Sequence, residues 1–504
     1  MFNISSLKES ITANRFVVFV VLSVIFNIAV LSNLLQSDYF GDDLYNFQAL
    51  GLIPSVYPSI TDFTVRSIIG WMDLGRFFPG AWYAYYLFAL CDTLYSYKLF
   101  VLLVTVTNIS LFAYLIYLWT KDKYTFLLIL IVTPLFFQYR YYHDPMLSFH
   151  GLIQVLFIYT TLSLIFLIKY LQGSPKYHYY LSLFFFTLSL LTYEISYVFI
   201  LLYVPVALSY LNLKSDFKRL MVLGTPYLLI LVGLTLYTLY IRSNLPPGWN
   251  PYIPTWDLSA ILITYFKQTV SVIPTTYYWV FENHSDFFKH IEYRYVVFVS
   301  LFVFIYIFAF SFKKTVVTHK NLIFMGFLLL LLPGLLISIS PKFQEGINKV
   351  DFGLAYLPIY IQSFGASLLS ALAIRKLSAT KYHVAAVAVL SGILIVHLVS
   401  NNAVIEKVNK PYKSKREVLS LFLSGTYGQN LEDNATIQFA YESPLHTNEF
   451  LNMYTGKNLH VVIAPNEKYD YQLWYDEINP EFMAINIKKQ STGIERIYVY
   501  KKNG

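Results

Sequence analysis

The most constraining feature is a run of residues, 16 to 35 (FVVFVVLSVIFNIAVLSNLL), that carries no charge at all. At about 1.5 Å per residue in a helix, twenty such residues reach across a hydrocarbon core roughly 30 Å thick. The run therefore reads as a membrane-spanning helix. A secretory signal peptide is the rival reading, but it would have a shorter apolar core ending in small residues suited to cleavage. Ten more apolar runs follow, near residues 98–119, 124–138, 150–170, 179–193, 195–213, 220–241, 293–312, 321–340, 353–374 and 383–400, so eleven crossings are expected. Only 13% of the 504 residues are charged. A soluble chain is nearer a quarter, which excludes an ordinary cytosolic enzyme. The single cysteine, Cys91, excludes a disulfide framework within the chain and a cysteine-based zinc site.

Orientation follows from the short connectors. Lys121 and Lys123, Lys169 and Lys176, Lys214 to Arg219, Lys313 to Lys320, and Arg375 to Lys381 all fall on one side if each run crosses once. By the positive-inside rule that side, with Lys8 and Arg15, is cytoplasmic. Residues 179–213, interrupted only by Glu194, would make a helix of about 50 Å, so Thr192-Tyr193-Glu194 reads as a turn between two crossings. Residues 81–97, apolar but rich in Trp and Tyr, read as an interfacial helix that keeps the parity. Of the 17 acidic residues before position 401, all but Glu9, Asp122 and Asp216 then lie on the opposite, outer face.

Composition changes near residue 401, beyond which 12 basic and 12 acidic residues balance. Segments 435–440, 459–463 and 496–500 read as strands and 448–454 as a short helix. The expected organisation is thus an all-α polytopic membrane domain over 1–400, with an outer loop at 37–97. A small extracytoplasmic α/β domain follows over 401–504, with the basic stretch Lys407 to Arg416 as linker. That small domain reads as a structural cap or an acceptor-docking module.

The outer loop opens with Ser37-Asp38-Tyr39-Phe40-Gly41-Asp42-Asp43, directly after the first crossing. Adjacent carboxylates at a membrane surface repel one another and lose hydration, which suits a general base or a divalent-metal ligand such as one for Mg or Mn. The structural alternative is an N-cap for a helix over 44–51. Further along, Gly75-Arg76-Phe77-Phe78-Pro79 and Gln138-Tyr139-Arg140-Tyr141-Tyr142-His143-Asp144 place cations beside aromatic rings.

An acidic pair just beyond the first helix, a large first outer loop with interfacial helices, and about eleven crossings resemble the GT-C superfamily of integral-membrane glycosyltransferases. The resemblance covers roughly the first 400 residues by architecture and a handful by motif. It implies a sugar donor carried on a polyprenyl phosphate, a glycan or lipid acceptor outside the cytoplasm, and Asp42 and Asp43 at the catalytic, possible metal-binding, position. Membrane lipids are the other partner expected, and nucleic acid is not.

Such a reaction needs fixed positive charge where the phosphate sits and a base where the acceptor hydroxyl arrives. Arg76 and Arg140 are candidate phosphate clamps because a guanidinium offers a bidentate fork, and Lys342 is a third; Lys349 is weaker. Headgroup contacts or local ion pairs are the structural alternatives. His143 beside Asp144 can form an oriented acid/base or ligand pair, or a structural hydrogen bond. Glu194 at its turn needs a basic partner if buried. Glu345 belongs to the same charged loop as Lys342. Trp249 and Trp256 are candidate sugar platforms in a Pro-rich loop.

The leading expectation is a transferase of the plasma or bacterial inner membrane. A polymerase or ligase using a diphosphate-linked donor, or a lipid-linked oligosaccharide flippase, is the alternative; no internal duplication of the transporter kind is visible. Cysteine accessibility scanning in a Cys91-free background tests the orientation. Positions near 122, 216, 316 and 378 should be protected from an impermeant reagent in intact cells and residue 504 labelled; the reverse result overturns the topology.

Overall fold

The computed structural model describes residues 4–49, 57–91, 93–141, 143–245, 256–281, 289–312, 320–345, 349–378 and 382–424, with 433, 436–439, 452, 457–458, 460–463, 484–489 and 493–498 beyond them. Helix α1 (Ile4–Leu31) precedes α2 (Asp42–Ala49), α3 (Ile60–Met72), α4 (Tyr83–Leu90) and α5 (Leu94–Thr120). After α6 (Lys123–Val132) come α7 (Leu152–Leu171) and α8 (Tyr177–Thr192), then a 3-10 helix (Glu194–Leu202) leading into α9 (Tyr203–Tyr210) and α10 (Phe217–Ser243). The series ends with α11 (Leu258–Val270), α12 (Thr276–Phe281), α13 (Arg294–Phe310), α14 (Lys320–Ser338), the single turn α15 (Pro341–Gln344), α16 (Ile359–Leu377) and α17 (His383–Ser424).

Six described segments are long and apolar enough to cross a membrane: Asn14–Gln36, Leu94–Thr120, Leu152–Leu171, Phe217–Ser243, Lys320–Ser338 and His383–Lys410. Lys123–Phe136, Glu194–Tyr210 and Arg294–Phe310 are apolar but shorter. The chain is a multi-pass helical membrane protein, with six such segments against the eleven runs expected from sequence. Short helices account for part of that difference, since Tyr177–Thr192 has 16 residues and the segments 123–136 and 194–210 are shorter than a full crossing. Pro134 closes α6 in a 3-10 turn, and the run 179–213 divides at Tyr193, an extended residue (φ −164°, ψ 140°).

Two local expectations need correction. Residues 81–97 are not one interfacial helix, because Thr93 starts a new one: its Oγ1 accepts from Ser96 N at 3.1 Å while Ser96 Oγ accepts from Thr93 N at 3.2 Å. Nor is the basic stretch Lys407–Arg416 a linker, because the helix His383–Ser424 runs through it. Val404, Ile405 and Val408 are buried and extend the apolar stripe of α17, so the basic stretch Lys407–Arg416 continues as helix.

Contacts group the residues into two units, Met1–Gln36 with Gly70–Ala81 and Lys98–Ile405, and Ser37–Ile69 with Trp82–Tyr97 and Glu406–Gly504. Within the first, α14 and α16 meet at two glycines. A Cβ on Gly365 would stand 2.4 Å from Leu330 N and 2.7 Å from Gly326 O, so the two backbones touch where any side chain would intrude. Beside this crossing, Gln362 accepts from Gln268 Nε2 at 2.8 Å and donates to Leu330 O at 2.8 Å, tying α11, α14 and α16 together. At the end bearing the basic connectors, Asp122 caps α6 and pairs with the buried Arg375 of α16. The outlying α10 is anchored by Tyr227, whose hydroxyl meets Ser182 Oγ of α8 at 2.7 Å.

In the second unit, Tyr39, Phe47, Phe88 and Tyr97 stack into an aromatic cluster that seats α2, with ring centroids 4.4 Å apart for Tyr39 and Phe47 and 4.7 Å for Phe88 and Tyr97. Asn409 Oδ1 of α17 accepts from Asp38 N at 2.9 Å. Strands β1 (Thr436–Phe439), β2 (His460–Ile463), β3 (Ala484–Lys489) and β4 (Gly493–Tyr498) form a sheet in the order β2-β1-β3-β4, with β1 and β2 parallel and the other pairs antiparallel. The short helix expected at 448–454 lies, except for position 452, outside the described residues.

Gly365→Ala should lower the melting temperature in detergent, because overpacking a tight contact costs about 1–3 kcal/mol. Gly392→Ala, where a Cβ meets nothing within 4 Å, should leave it unchanged or slightly raised. Equal melting temperatures for the two variants would contradict the close crossing.

Candidate functional site

The site begins with a turn. Helix α3 ends at Met72, and Gly75, at φ 79°, lets the chain reverse so that Arg76 N returns to Trp71 O at 3.0 Å. The turn delivers the buried Arg76 guanidinium among three rings, at 5.3 Å from Trp71, 4.5 Å from Phe78 and 5.2 Å from Tyr193. Extended Tyr193 places Glu194 at the head of the 3-10 helix. There Glu194 Oε2 accepts from Arg76 Nε at 3.3 Å and Oε1 from Arg242 Nη2 at 3.4 Å. Arg242, in the last turn of α10, also donates through Nε to Gly75 O at 2.9 Å, which closes the ring of contacts.

These side chains border a cavity of about 190 Å³. Lys342, carried on α15, lines it as well, as do the rings of Tyr193 and Tyr356 and aliphatic side chains of α10 and α14. Three cations thus share an apolar-walled space with one carboxylate. Guanidinium and ammonium groups aimed into a poorly hydrated cavity bind anions far better than the same groups in water.

Three sequence candidates, Arg76, Glu194 and Lys342, therefore meet in one place. Arg140 does not join them as a phosphate clamp. It is buried, and its guanidinium donates to Gln138 O at 2.8 Å, Ser271 O at 3.1 Å and Gly353 O at 3.3 Å, so the fork braces three loops. Asp144 is equally structural, since it accepts from the backbone N–H groups of Arg140, Met146 and Leu147 at 2.7 to 2.9 Å. Burial pushes its carboxyl up, against the pull of Arg140 and those three N–H groups. Burial likewise lowers Arg140 to about 10. His143, at φ 52°, packs its ring 5.0 Å from that of Tyr356, one of the rings that line the cavity. Glu345 is exposed, and so is Trp256 at 83%, and neither lines the cavity. Trp249 lies outside the described residues.

Asp42 and Asp43 form the first turn of α2, where the helix dipole favours negative charge. Successive helical positions point about 100° apart, and here Asp42 is exposed while Asp43 is fully buried beside Tyr97. The helix start thus presents Asp42 at the surface and turns Asp43 inward. Among the described residues no group of three or more His, Cys, Asp or Glu side chains gathers to hold a metal.

Arg242 is the residue that sequence reading missed. The available signal was its position: a lone arginine at the end of its apolar run opposite Lys214, Lys218 and Arg219, against the positive-inside pattern. No protein-family model matches this chain, and no curated protein is significantly similar to it.

The loop before α7 also carries a pH liability. Burial holds the His150 imidazole at about 3, against an ordinary 6.5. Because the folded value is depressed, the unfolded chain takes up a proton first, and stability falls as pH drops through 6.5 toward 3, at up to about 1.4 kcal/mol per pH unit. His150→Asn should flatten the wild-type fall in melting temperature between about pH 6.5 and 5, before most carboxylates titrate. An unchanged slope would remove His150 as its source.

Proposed function

We propose that this protein is a membrane glycosyltransferase that moves a sugar from a polyprenyl-phosphate carrier to an extracytoplasmic cell-envelope glycan or lipid. The observation that carries the reading is the cavity in which Arg76, Arg242 and Lys342 gather around Glu194 between apolar walls. Such a space suits an anion attached to a hydrocarbon chain, which is the chemistry of a lipid phosphate. In the proposed reaction an acceptor hydroxyl oxygen bonds to the anomeric carbon as the bond from that carbon to the phosphate oxygen breaks. The hydroxyl proton passes to a carboxylate, and the carrier phosphate leaves with one more negative charge. Arg76 and Arg242 stabilise that growing charge, an interaction stronger in the transition state than in the bound donor.

Asp42 or Asp43 is the proposed base, on the chemistry of a carboxylate at the start of α2. The proposal includes the full set of eleven crossings, a cytoplasmic N-terminus and an extracytoplasmic C-terminal part that caps the enzyme or docks the acceptor. A polymerase or ligase that takes a diphosphate-linked donor is the second reading, favoured by the two guanidiniums on one carboxylate.

The test is sugar transfer in membranes at matched protein levels, read as lipid-linked sugar and surface glycan. Asp→Asn at the base position should cost about a hundredfold or more, because the amide cannot take the proton. Arg76→Lys keeps the charge, loses the fork, and should reduce donor use at unchanged expression. Wild-type transfer in Asp42→Asn, Asp43→Asn and Arg76→Lys alike would remove this reading.

A further inference from the structure

We propose that α11, although it belongs to a connection between crossing segments and is too short to be one, is embedded in the hydrocarbon of one leaflet, where its outer face binds lipid acyl chains. The inference is independent of what the cavity holds.

A helix at a water surface buries its apolar side and shows its polar one. Helix α11 does the reverse. At about 100° per residue, Leu258, Leu262, Ile263 and Phe266 fall within one arc, and each is exposed by 54 to 66%. The opposite arc carries Thr264 and Gln268, and Ser271 just beyond the helix, all buried. Gln268 donates to Gln362 Oε1 at 2.8 Å and to Tyr356 O at 3.2 Å, and accepts from Tyr356 N at 2.8 Å. Ser271 Oγ accepts from Gly353 N at 2.8 Å and donates to Lys267 O at 2.6 Å. Polar groups turned inward and matched there, with apolar groups turned outward, mark a helix whose solvent is hydrocarbon.

The ends and flank of the helix suit the same solvent. Asp257 caps it by accepting from Ser259 N at 2.9 Å and Ala260 N at 3.1 Å, so these N–H groups need no water. Exposed Trp256 directly precedes the cap, and an exposed indole is at home at headgroup level. Lys267, the one charged residue of α11, pairs with Asp351 at 3.2 Å. A Cβ on Gly334 of α14 would stand 3.3 Å from Gln268 Cγ and 3.4 Å from Tyr265 Cδ2, so α11 rests directly on a segment long enough to cross the membrane. The exposed Phe327, Leu331 and Leu335 of α14 are surface of the same apolar kind. A second copy of the chain is the other candidate occupant. The 13 residues of α11 give a stripe about 20 Å long and about 10 Å wide, far below the roughly 800 Å² per partner of a stable interface.

The experiment is site-directed spin labelling of the full-length protein, carrying Cys91→Ser, in vesicles of phosphatidylcholine and phosphatidylglycerol. Labels are introduced by Leu262→Cys and Phe266→Cys. Leu229→Cys, exposed midway along α10, is the lipid reference, and Lys214→Cys, exposed in a basic connector, is the water reference. Power saturation compares collisions with oxygen, which concentrates in hydrocarbon, and with a neutral nickel chelate, which stays in water. At 262 and 266 the ratio of oxygen to nickel collisions should fall with that at 229 and exceed that at 214 severalfold. A ratio nearer that at 214 overturns the inference. Labels shielded from both reagents also overturn it, and dipolar broadening that vanishes on dilution with unlabelled protein then identifies a second copy as the occupant. Should either cysteine variant fail to insert, Leu258→Cys and Ile263→Cys on the same arc carry the test with the same expected ratios.

Discussion

A charged side chain inside an apolar helix bundle must find a partner, because water is not there to solvate it. Much of the polar architecture in the first unit follows from this requirement. Asp122 and Arg375 answer it by pairing with each other at one end of the bundle, where the carboxylate also caps α6. Arg140 and Asp144 answer it with backbone: one donates to three carbonyls and the other accepts from three N–H groups. In each case the donors and acceptors are used up in holding chain segments together.

Glu194 is different in kind. It serves two guanidiniums at once, through long contacts, and Lys342 lines the same cavity without adding a second carboxylate. Holding charges in so apolar a surrounding is costly. The aromatic rings around Arg76 offset some of that cost by cation–π contact and hold the guanidinium still. Rigid helix crossings provide the frame. The touching backbones at Gly326 and Gly365 and the amide contacts of Gln268 and Gln362 fix α14 and α16, and Gln268 also accepts from Tyr356 N in the loop behind the cavity.

The membrane class, most of the helix positions and several members of the site were legible in the sequence, because each rests on local chemistry. Apolar length marks a crossing, and a charge at the end of such a run stands out against its neighbours. The break at Tyr193 followed from length alone, since 35 apolar residues exceed what one crossing needs. What local chemistry misjudged was the use of a charge. Arg76 and Arg140 look alike in sequence, each an arginine in an aromatic loop, yet one lines a cavity and the other is saturated by carbonyls. Asp42 and Asp43 look like a pair, yet the helix they begin turns one outward and buries the other.

By itself, then, the sequence determined that this chain is a multi-pass helical membrane protein with a small set of charges available for chemistry. Hydrophobic length and the cost of burying charge are properties of a segment and need no knowledge of its neighbours. Only the tertiary structure decided which charges meet. Glu194 lies 118 residues from Arg76 and 48 from Arg242, and their convergence depends on a glycine turn, an extended tyrosine and the packing of separate helices. Pairings across such distances are set by which surfaces fit together, and no local pattern records that.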